Sequence, residues 1–493
     1  MFVRLGYSDL KIVFRDVGTI LQYSSAMFLV PCIFSLLYTE SFTGVVLYYV
    51  LSSAIVFLFG FILKSFFQNE FSTQMKHAFL ITAVSWIAFT CFAALPFVFI
   101  QGASFVDGLF EAMSALTTTG LSVMRPLLDS MPRSLIFWRS LLSWVGGIGI
   151  IVLAMVGVFA AYTRASKLII AEGREERLTP NLKNSVMAVW WVYALLTGIG
   201  ALLLFLSGMT PFESMNYSMS AISTTGMDIS SPGLAVESGY WAINLGIHNY
   251  WVDISLIIIM LFGATSFSVH YLFFKRKDIR AFFKDAEFRG LLLLSVLTSL
   301  MVIPKLGIEN GIFHAVSALT CGGFELVVTQ AIGQWDEFVK LVLVLAMFIG
   351  GSAGSTAGGI KISRFIIFVK GIYWKAKETL LPQKAFFAKK FDGREVKGEE
   401  IREVVFFILL YAFFIALGIM VLTFDGATIS NSLFEVVSAQ SNAGISTGIT
   451  NAGMPLASKT MLIFNMWIGR LEIIPAFSLL GLAIYFVRRK RKQ

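Results

Sequence analysis

The stretch Ser114-Ala115-Leu116-Thr117-Thr118-Thr119-Gly120 decides the fold, because it comes back three times in altered form. The three further copies are Ser220-Ala221-Ile222-Ser223-Thr224-Thr225-Gly226, Ser317-Ala318-Leu319-Thr320-Cys321-Gly322-Gly323 and Ser438-Ala439-Gln440-Ser441-Asn442-Ala443-Gly444. Every copy begins with Ser-Ala and has a glycine six positions after the Ser. Four copies in register indicate a fourfold internal repeat.

The composition is that of an integral membrane protein. Of the 493 residues, 57% are hydrophobic and only 14% are charged, which is far too apolar for a soluble domain. Apolar runs of about 20 residues recur along the chain, and this is the length that crosses a hydrocarbon core of roughly 30 Å. We therefore predict an all-α membrane protein built from spanning helices.

The distribution of positive charge argues against a nucleic-acid-binding face. The formal net charge is +9, but 32 of the 39 Lys and Arg residues fall in alternate segments between the apolar runs. This is the positive-inside pattern of a protein embedded in membrane lipid. It predicts ten spans of the cell membrane with both termini in the cytoplasm, and it puts all four glycine motifs on the outer side.

Each copy of the motif belongs to a unit with the same plan. A first span is followed by an apolar stretch too short to cross the membrane, by the glycine motif and by a second span. The short stretch fits a half-helix that enters the membrane and stops. The predicted parts are 1–76 (two additional N-terminal spans), 77–183 (unit one), 184–289 (unit two), 290–402 (unit three) and 403–493 (unit four, with a basic C-terminal tail).

The four motifs suit a filter for a monovalent cation. Backbone carbonyls that converge from several strands replace the hydration shell of an ion without burying a fixed charge. Glycine permits backbone angles that a side chain resists, and the motifs contain no ring of four acids. The predicted ion-binding residues are Thr118, Thr119, Gly120, Thr224, Thr225, Gly226, Cys321, Gly322, Gly323, Asn442, Ala443 and Gly444. The alternative is that the motifs are capping turns between packed helices.

A second set of residues stands two positions beyond each glycine, namely Ser122, Asp228, Glu325 and Ser446. If the units are equivalent, these residues form a ring at the mouth whose two carboxylates raise the local concentration of cations. Alternatively, the two acids are ordinary solvated loop residues. His314, which precedes the third motif, is predicted to pack on its half-helix rather than to bind a metal.

The second span of unit three is interrupted by Gly350-Gly351-Ser352-Ala353-Gly354-Ser355-Thr356-Ala357-Gly358-Gly359. Glycine weakens a helix by roughly 1 kcal/mol per residue relative to Ala, so a continuous helix is not expected here. We predict a flexible loop below the filter. The alternative is close helix packing through the row formed by Gly350, Gly354 and Gly358.

Arg470 is predicted to lie near the middle of the membrane. It follows Lys459 by eleven residues, or about 16 Å along a helix. An intramembrane arginine faces a water-filled path or a partner across the bundle. In a cation pathway it would act as an electrostatic barrier, and the alternative is a structural ion pair with another unit. Glu472 lies on a different face and is a poor partner within the helix.

Together these motifs resemble the TrkH, KtrB and HKT superfamily of potassium transporters, and the TrkH branch most closely. The likeness covers nearly the whole chain, and the two additional N-terminal spans favour the TrkH branch. Besides the glycine motifs it rests on 348–361, Gly469-Arg470-Leu471-Glu472-Ile473, Trp144-Val145-Gly146-Gly147-Ile148-Gly149-Ile150 and Leu178-Thr179-Pro180.

The resemblance implies a channel-like potassium pore with pseudo-fourfold symmetry. Its filter would lie at the four motif glycines, and Arg470 would lie beneath it. The gate would be an intramembrane loop that uses Gly350, Gly351, Gly354, Gly358 and Gly359. The resemblance also implies a homodimer that binds separate, cytosolic, TrkA-like nucleotide-binding regulatory subunits. The doubled Gly322-Gly323 departs from the family pattern and predicts modest discrimination of potassium from sodium, because it leaves the third strand with less side-chain oxygen.

The leading functional hypothesis is gated potassium uptake down the electrochemical gradient, with potassium as the substrate and no cofactor in this chain. The alternative is a sodium- or proton-coupled potassium symporter of the same fold. Symport needs a titrating acid inside a span, for which Glu472 is the main candidate. An enzyme is not expected, because H-E-x-x-H is absent and the four histidines do not cluster at metal spacing.

Overall fold

A computed structural model describes residues 7–68, 73–149, 182–234, 249–380, 382 and 387–471. Their regular secondary structure is helical apart from one short antiparallel hairpin. The prediction of an all-α fold is therefore confirmed.

Two helical segments precede the first unit. They contain α1 (Tyr7–Ser24), a 3-10 turn (Ser25–Leu29), α2 (Pro31–Leu37), a π turn (Phe42–Val46) and α3 (Leu47–Phe66). Helix α1 includes a charged stretch before the apolar residues of the first span. Its charged residues are paired, since Arg15 Nε donates to Asp16 Oδ1 at 2.9 Å and His77 Nε2 lies 2.7 Å from an Asp9 oxygen. Pairing allows this charged stretch to be buried as helix.

Units one and two each contain a long helix, a short half-helix and a further helix. Unit one comprises α4 (Met75–Ala93), α5 (Leu95–Gln101), α6 (Phe105–Leu116), a 3-10 turn (Arg125–Ser130) and α7 (Arg133–Ile148). Unit two comprises α8 (Leu182–Leu206), α9 (Pro211–Ile222), α10 (Tyr250–Ala264), α11 (Phe267–Arg276) and α12 (Arg280–Lys284).

Units three and four follow the same order. Unit three comprises α13 (Ala286–Leu306), α14 (Ile308–Leu319), α15 (Thr329–Ile332), α16 (Glu337–Ile349), α17 (Ile362–Leu380) and the hairpin of β1 (Lys390–Phe391) with β2 (Arg394–Glu395). Unit four comprises α18 (Gly398–Phe424), α19 (Ile429–Gln440) and α20 (Leu456–Arg470).

Within the described ranges, six helical stretches are long and apolar enough to cross a membrane, and the bent pair α10–α11 raises the number to seven. The predicted second spans of units one and four run into residues outside those ranges. The count of ten spans therefore stays a prediction.

The second span of unit two is broken, which the sequence did not predict. Helices α10 and α11 meet at 99°. At the break the Phe267 N–H donates to Gly354 O at 3.1 Å, so the chain leaves one helix and binds the glycine-rich segment of unit three. The two interruptions of the second spans thus lie against each other.

The four half-helices α6, α9, α14 and α19 have 12 residues each. At 1.5 Å per residue such a helix reaches about 18 Å, which is too short to cross the membrane. Three of them begin at a Ser or Thr whose hydroxyl accepts a backbone N–H of the first turn, namely Ser104, Thr210 and Thr428. Their C-terminal halves are buried in the centre of the protein.

Candidate functional site

The four half-helices end in the same backbone turn. The residue two positions before each motif glycine has a left-handed φ between +53° and +56°, which is unusual for a residue with a side chain. These residues are Thr118, Thr224, Cys321 and Asn442. The residue after each of them donates its N–H to the carbonyl of the motif Ser, which makes a Schellman-type helix end. The repeat in the sequence is therefore also a repeat in backbone conformation.

The four turns meet around one axis. A Cβ atom on any motif glycine would collide with the strand of the next unit, so no side chain fits there. A Cβ on Gly120 would lie 1.8 Å from the Thr225 carbonyl oxygen, and one on Gly226 would lie 2.5 Å from that of Gly322. A Cβ on Gly323 would lie 2.6 Å from the Ala443 oxygen, and one on Gly444 would lie 2.1 Å from that of Thr119. These contacts run from unit one to unit four and back to unit one, which closes a ring. All twelve residues predicted to bind the ion lie in these turns.

The Ser of the motif holds the strand that rises after the turn. Ser114 Oγ accepts the N–H of Gly120 at 3.1 Å, and Ser220 Oγ accepts the N–H of Met227 at 2.7 Å. Ser317 Oγ donates to the carbonyl of Phe324 at 2.8 Å. In these three copies the Ser hydroxyl cross-links the end of the half-helix to the strand, whereas the buried Ser438 hydroxyl of the fourth copy makes no such bond.

The doubled glycine of unit three has a packing reason. A Cβ on Gly322 would lie 2.2 Å from the Sδ atom of Met260, which extends from α10. The thioether fills the space that a threonine side chain would take in this strand. The loss of one side-chain oxygen is thus a consequence of how unit two packs on unit three.

The predicted mouth ring also comes together. The four motif glycines and Ser122, Asp228, Glu325 and Ser446 line one cavity. Both carboxylates are buried, with side chains that are 9% and 3% exposed, so they are not solvated loop acids. Burial raises the pKa of both carboxyls above the usual range, and the nearby Arg125 guanidinium offsets only part of this rise.

Arg125 was not assigned to the mouth from the sequence, and it changes the electrostatics of the ring. Its Nη2 donates to Asp228 at 2.9 Å, and its Nη1 donates to Glu325 at 3.0 Å and to Thr329 Oγ1. Its Nε donates to the Ser231 carbonyl at 3.2 Å. The two carboxylates are therefore bridged by one guanidinium, and the expectation of two free charges that concentrate cations is corrected.

A further fourfold position lies three residues before each motif Ser. The residues there are Glu111, Tyr217, His314 and Glu435, and all four are fully buried. Glu111 accepts a hydrogen bond from Ser122 Oγ at 2.8 Å, and His314 Nε2 accepts the N–H of Leu326 at 3.3 Å. His314 Nδ1 also lies 2.8 Å from the carbonyl of Asn310 in its own half-helix, which confirms that this histidine packs there.

Glu435 binds the strand after its motif through five hydrogen bonds. Its carboxylate accepts hydrogen bonds from the hydroxyl of Ser446 at 2.7 Å, from the N–H and hydroxyl of Thr447 at 2.9 and 3.0 Å, and from the N–H and hydroxyl of Thr450. Glu111 is neutralised instead by Arg139, whose Nη2 and Nε lie 2.6 and 2.9 Å from the same oxygen. The constant spacing of three residues before the motif Ser is a signal for this position in the sequence. It is a weak one, because the residue type differs between the units.

Glycines of the second spans let those helices approach the filter. A Cβ would lie 1.8 Å from the Leu116 carbonyl if placed on Gly146, and 1.8 Å from the Gln440 carbonyl if placed on Gly469. Gly263 makes the corresponding approach to Ile222 in unit two, at 2.6 Å. These close contacts give a physical reason for the glycines in the signatures of units one and four.

In unit three the glycine-rich segment takes the place of such a helix. It contains Gly350, Gly351, Gly354, Gly358 and Gly359 and joins α16 to α17, as an irregular loop rather than a helix. A Cβ on Gly358 would lie 1.8 Å from the Ser441 carbonyl, directly below the fourth filter turn. Gly359 N donates to the same carbonyl at 3.1 Å. The interpretation as a helix-packing row is therefore wrong, although the loop does pack closely.

The loop is tied to unit two as well. Thr356 Oγ1 donates to the carbonyls of Ile222 and Gly263 at 2.9 and 2.8 Å, and Ser352 N donates to Ala264 O at 3.0 Å. The stretch 350–354 also fits the G-x-S-x-G pattern of serine hydrolases. Ser352 is fully buried and follows a helix, whereas that pattern requires an exposed Ser on a turn after a strand.

Arg470 ends α20 on the side of the four turns where the glycine-rich loop lies. Its Nη1 donates to the Thr356 carbonyl in the loop at 2.9 Å. Its Nη2 donates to the carbonyls of Gly146 and Gly147 in unit one, at 2.6 and 3.2 Å. The guanidinium therefore links the loop to α7 across the bundle. Glu472, the candidate for coupled transport, lies outside the described residues.

Three comparisons with known proteins agree with this architecture. The family model of the TrkH cation transport proteins matches residues 49–306 and 305–480. An uncharacterized cation transporter of Methanocaldococcus jannaschii is 32% identical over 486 residues, which cover 98% of each chain. The Trk system potassium uptake protein TrkH of Vibrio parahaemolyticus is 28% identical over 95% of this chain and 98% of that protein.

The solved structures give the same result. The crystal structure of the potassium transporter TrkH from Vibrio parahaemolyticus aligns with a TM-score of 0.80 at 26% identity. The alignment covers 96% of this chain and 98% of that one.

Proposed function

The chain belongs to the TrkH family of cation transport proteins, and on that premise we propose that it takes up potassium through a gated, channel-like pore in the cell membrane. The observation that carries the proposal is the ring of contacts among Gly120, Gly226, Gly323 and Gly444. Peptide carbonyls from four strands converge there on one axis and can replace the hydration shell of an ion. The relatives named as Trk potassium uptake proteins support potassium as that ion.

The chemistry of the ring supports a monovalent rather than a divalent cation. Its lining residues offer backbone carbonyls, hydroxyls and one amide, while the carboxylates of Asp228 and Glu325 stand further out and are paired with Arg125. Among the described residues, no group of three or more His, Cys, Asp or Glu side chains is placed to hold a metal ion. Calcium sites, by contrast, are built with carboxylate oxygens.

Below the filter we assign the gate to the loop 350–359 together with Arg470. The loop passes directly under the fourth turn, and the guanidinium adds a positive charge that repels a cation in the same space. Opening would require the loop to leave its hydrogen bonds with Ser441, Ala264 and Gly263. These are backbone contacts, each worth about 1 kcal/mol, so a partner protein could supply the energy.

The proposed assembly is a homodimer with cytosolic, nucleotide-binding subunits of the TrkA kind. Several relatives are named as parts of a Trk system, which supports the expectation that further components act with this chain. Both termini are proposed to lie in the cytoplasm, on the side where basic residues concentrate.

Rubidium uptake by the purified chain in liposomes tests the function. Uptake driven by an imposed negative interior potential, with no need for sodium or a proton gradient, is expected for a pore. Uptake that requires sodium or a proton gradient would favour the symporter. The absence of rubidium uptake, with or without a cytosolic partner, would contradict the proposal.

A further inference from the structure

The guanidinium of Arg125 lies beside the four motif glycines, in the cavity above them. This side chain lines the same cavity as the four motif glycines and is 23% exposed. It comes from the segment after the first filter strand and reaches Asp228 of unit two and Glu325 of unit three. It therefore lies inside the mouth rather than on its rim.

The hydrogen bonds around Arg125 connect all four units. The second oxygen of Glu325 accepts the N–H of Ser446 in unit four at 2.7 Å. Arg139 of unit one donates to the carbonyl of Asp228 at 2.6 Å. The position between the two carboxylates can therefore hold a cation, and in this structure the Arg125 guanidinium occupies it.

The charges show what that cation does. With both carboxylates ionised, the group formed by Arg125, Asp228 and Glu325 carries a net charge of −1, and without the guanidinium it would carry −2. Two carboxylates that converge within the span of one guanidinium are the oxygen ligands that Ca²⁺ and Mg²⁺ prefer. A divalent ion held at that point would obstruct the filter below it.

We propose that Arg125 is a specificity-determining residue of the outer mouth, which keeps divalent cations from binding between Asp228 and Glu325 and blocking the pore. The proposal rests on the proposed function, because it concerns ions on their way to the filter. A purely structural role is the competing explanation, since the side chain also joins unit one to units two and three by hydrogen bonds.

The test compares rubidium uptake into liposomes at a fixed voltage while calcium, and separately magnesium, is raised on both faces at alkaline pH. Arg125→Gln is expected to lower the half-inhibiting divalent concentration by about tenfold or more relative to the unsubstituted chain. The triple variant Arg125→Gln, Asp228→Asn, Glu325→Gln is expected to return to the original insensitivity. Arg133→Gln removes an exposed positive charge from the same face and is expected to change nothing.

If Arg125→Gln lowers the yield of folded protein, a second variant keeps the proposal falsifiable. Arg125→Gln with Asp228→Asn retains the net charge of the mouth but leaves Glu325 without the guanidinium, so calcium sensitivity should lie between the two extremes. If Arg125→Gln, or this double variant, conducts with the original divalent sensitivity, the inference is overturned and the structural role is supported. Absence of rubidium uptake by the unsubstituted chain would instead count against the proposed function.

Discussion

The two sides of the proposed filter, outer and inner, are held by different kinds of contact. Above the turns, charged side chains support the strands, as in the pairs of Glu111 with Arg139 and of Arg125 with Glu325. Below them, backbone contacts across glycines, as between Gly358 and Ser441, stand beside single hydrogen bonds from Thr356 and Arg470 to backbone carbonyls. A buried ion pair is costly to break because each partner is left uncompensated. Backbone contacts of a loop can be exchanged for others, so on the proposed function we expect a rigid outer half and a movable inner half.

The largest effect is expected where the two halves meet, at the ring of glycines. Gly120→Ala adds a Cβ atom 1.8 Å from the Thr225 carbonyl, so one strand must move and rubidium uptake should be lost. Gly102→Ala is the matched control, because Gly102 also has a positive φ of +70° but has nothing within 4 Å of the added carbon. The control should cost only the backbone strain, roughly 1–2 kcal/mol, and retain uptake. Equal loss in both variants would show that strain, not the close approach, matters.

The next effect tests the rigidity of the outer half. Arg139→Gln leaves the buried Glu111 carboxylate without its guanidinium and should destabilise the protein by about 3–5 kcal/mol. Thermal unfolding of the detergent-solubilised protein measures the loss. Adding Glu111→Gln to the same protein should recover part of the stability, since the uncompensated charge is removed. A double variant as unstable as Arg139→Gln alone would contradict the view that charge pairing supports this strand.

The third prediction tests the movable inner half. Arg470→Ala removes a positive charge from the space between the loop and α7. For a cation at an assumed separation of about 8 Å and an effective dielectric constant of about 20, the repulsion removed is about 2 kcal/mol. Rubidium flux through the folded protein should therefore rise by up to about thirtyfold. Arg470→Lys keeps the charge and should stay near the original flux. Loss of folded protein without any gain in flux would instead favour a structural ion pair.

The smallest effect is expected at the side of the filter, between the two halves. Gly322→Ala places a carbon 2.2 Å from Met260 Sδ, but a methionine side chain is flexible and can move aside. A loss of about 1 kcal/mol in stability is expected. Met260→Ala should cost less stability in this variant than in the unsubstituted chain, because the added methyl group fills part of the cavity. A complete loss of uptake in Gly322→Ala would mean that the side wall is as rigid as the outer half.

Much of the filter was predictable because its turns are local. A Ser-Ala pair followed six residues later by a glycine specifies a helix end and a left-handed turn within one short segment. The interruption at 350–359 was predictable for the same reason, since five glycines disfavour a helix wherever they stand. The contacts of Arg125 with Asp228 and Glu325 were not, because the partners are 103 and 200 positions away.

By itself, the sequence determined the membrane environment, the fourfold repeat and the positions of the turns, since composition and local backbone preference fix these. Only the tertiary structure decided that the turns form a closed ring, that Met260 replaces a filter side chain and that α10 breaks against the loop of unit three. It also decided that the mouth carboxylates share one guanidinium. The physical reason is that burial and charge pairing depend on which distant segments pack together, and no short stretch of residues carries that information.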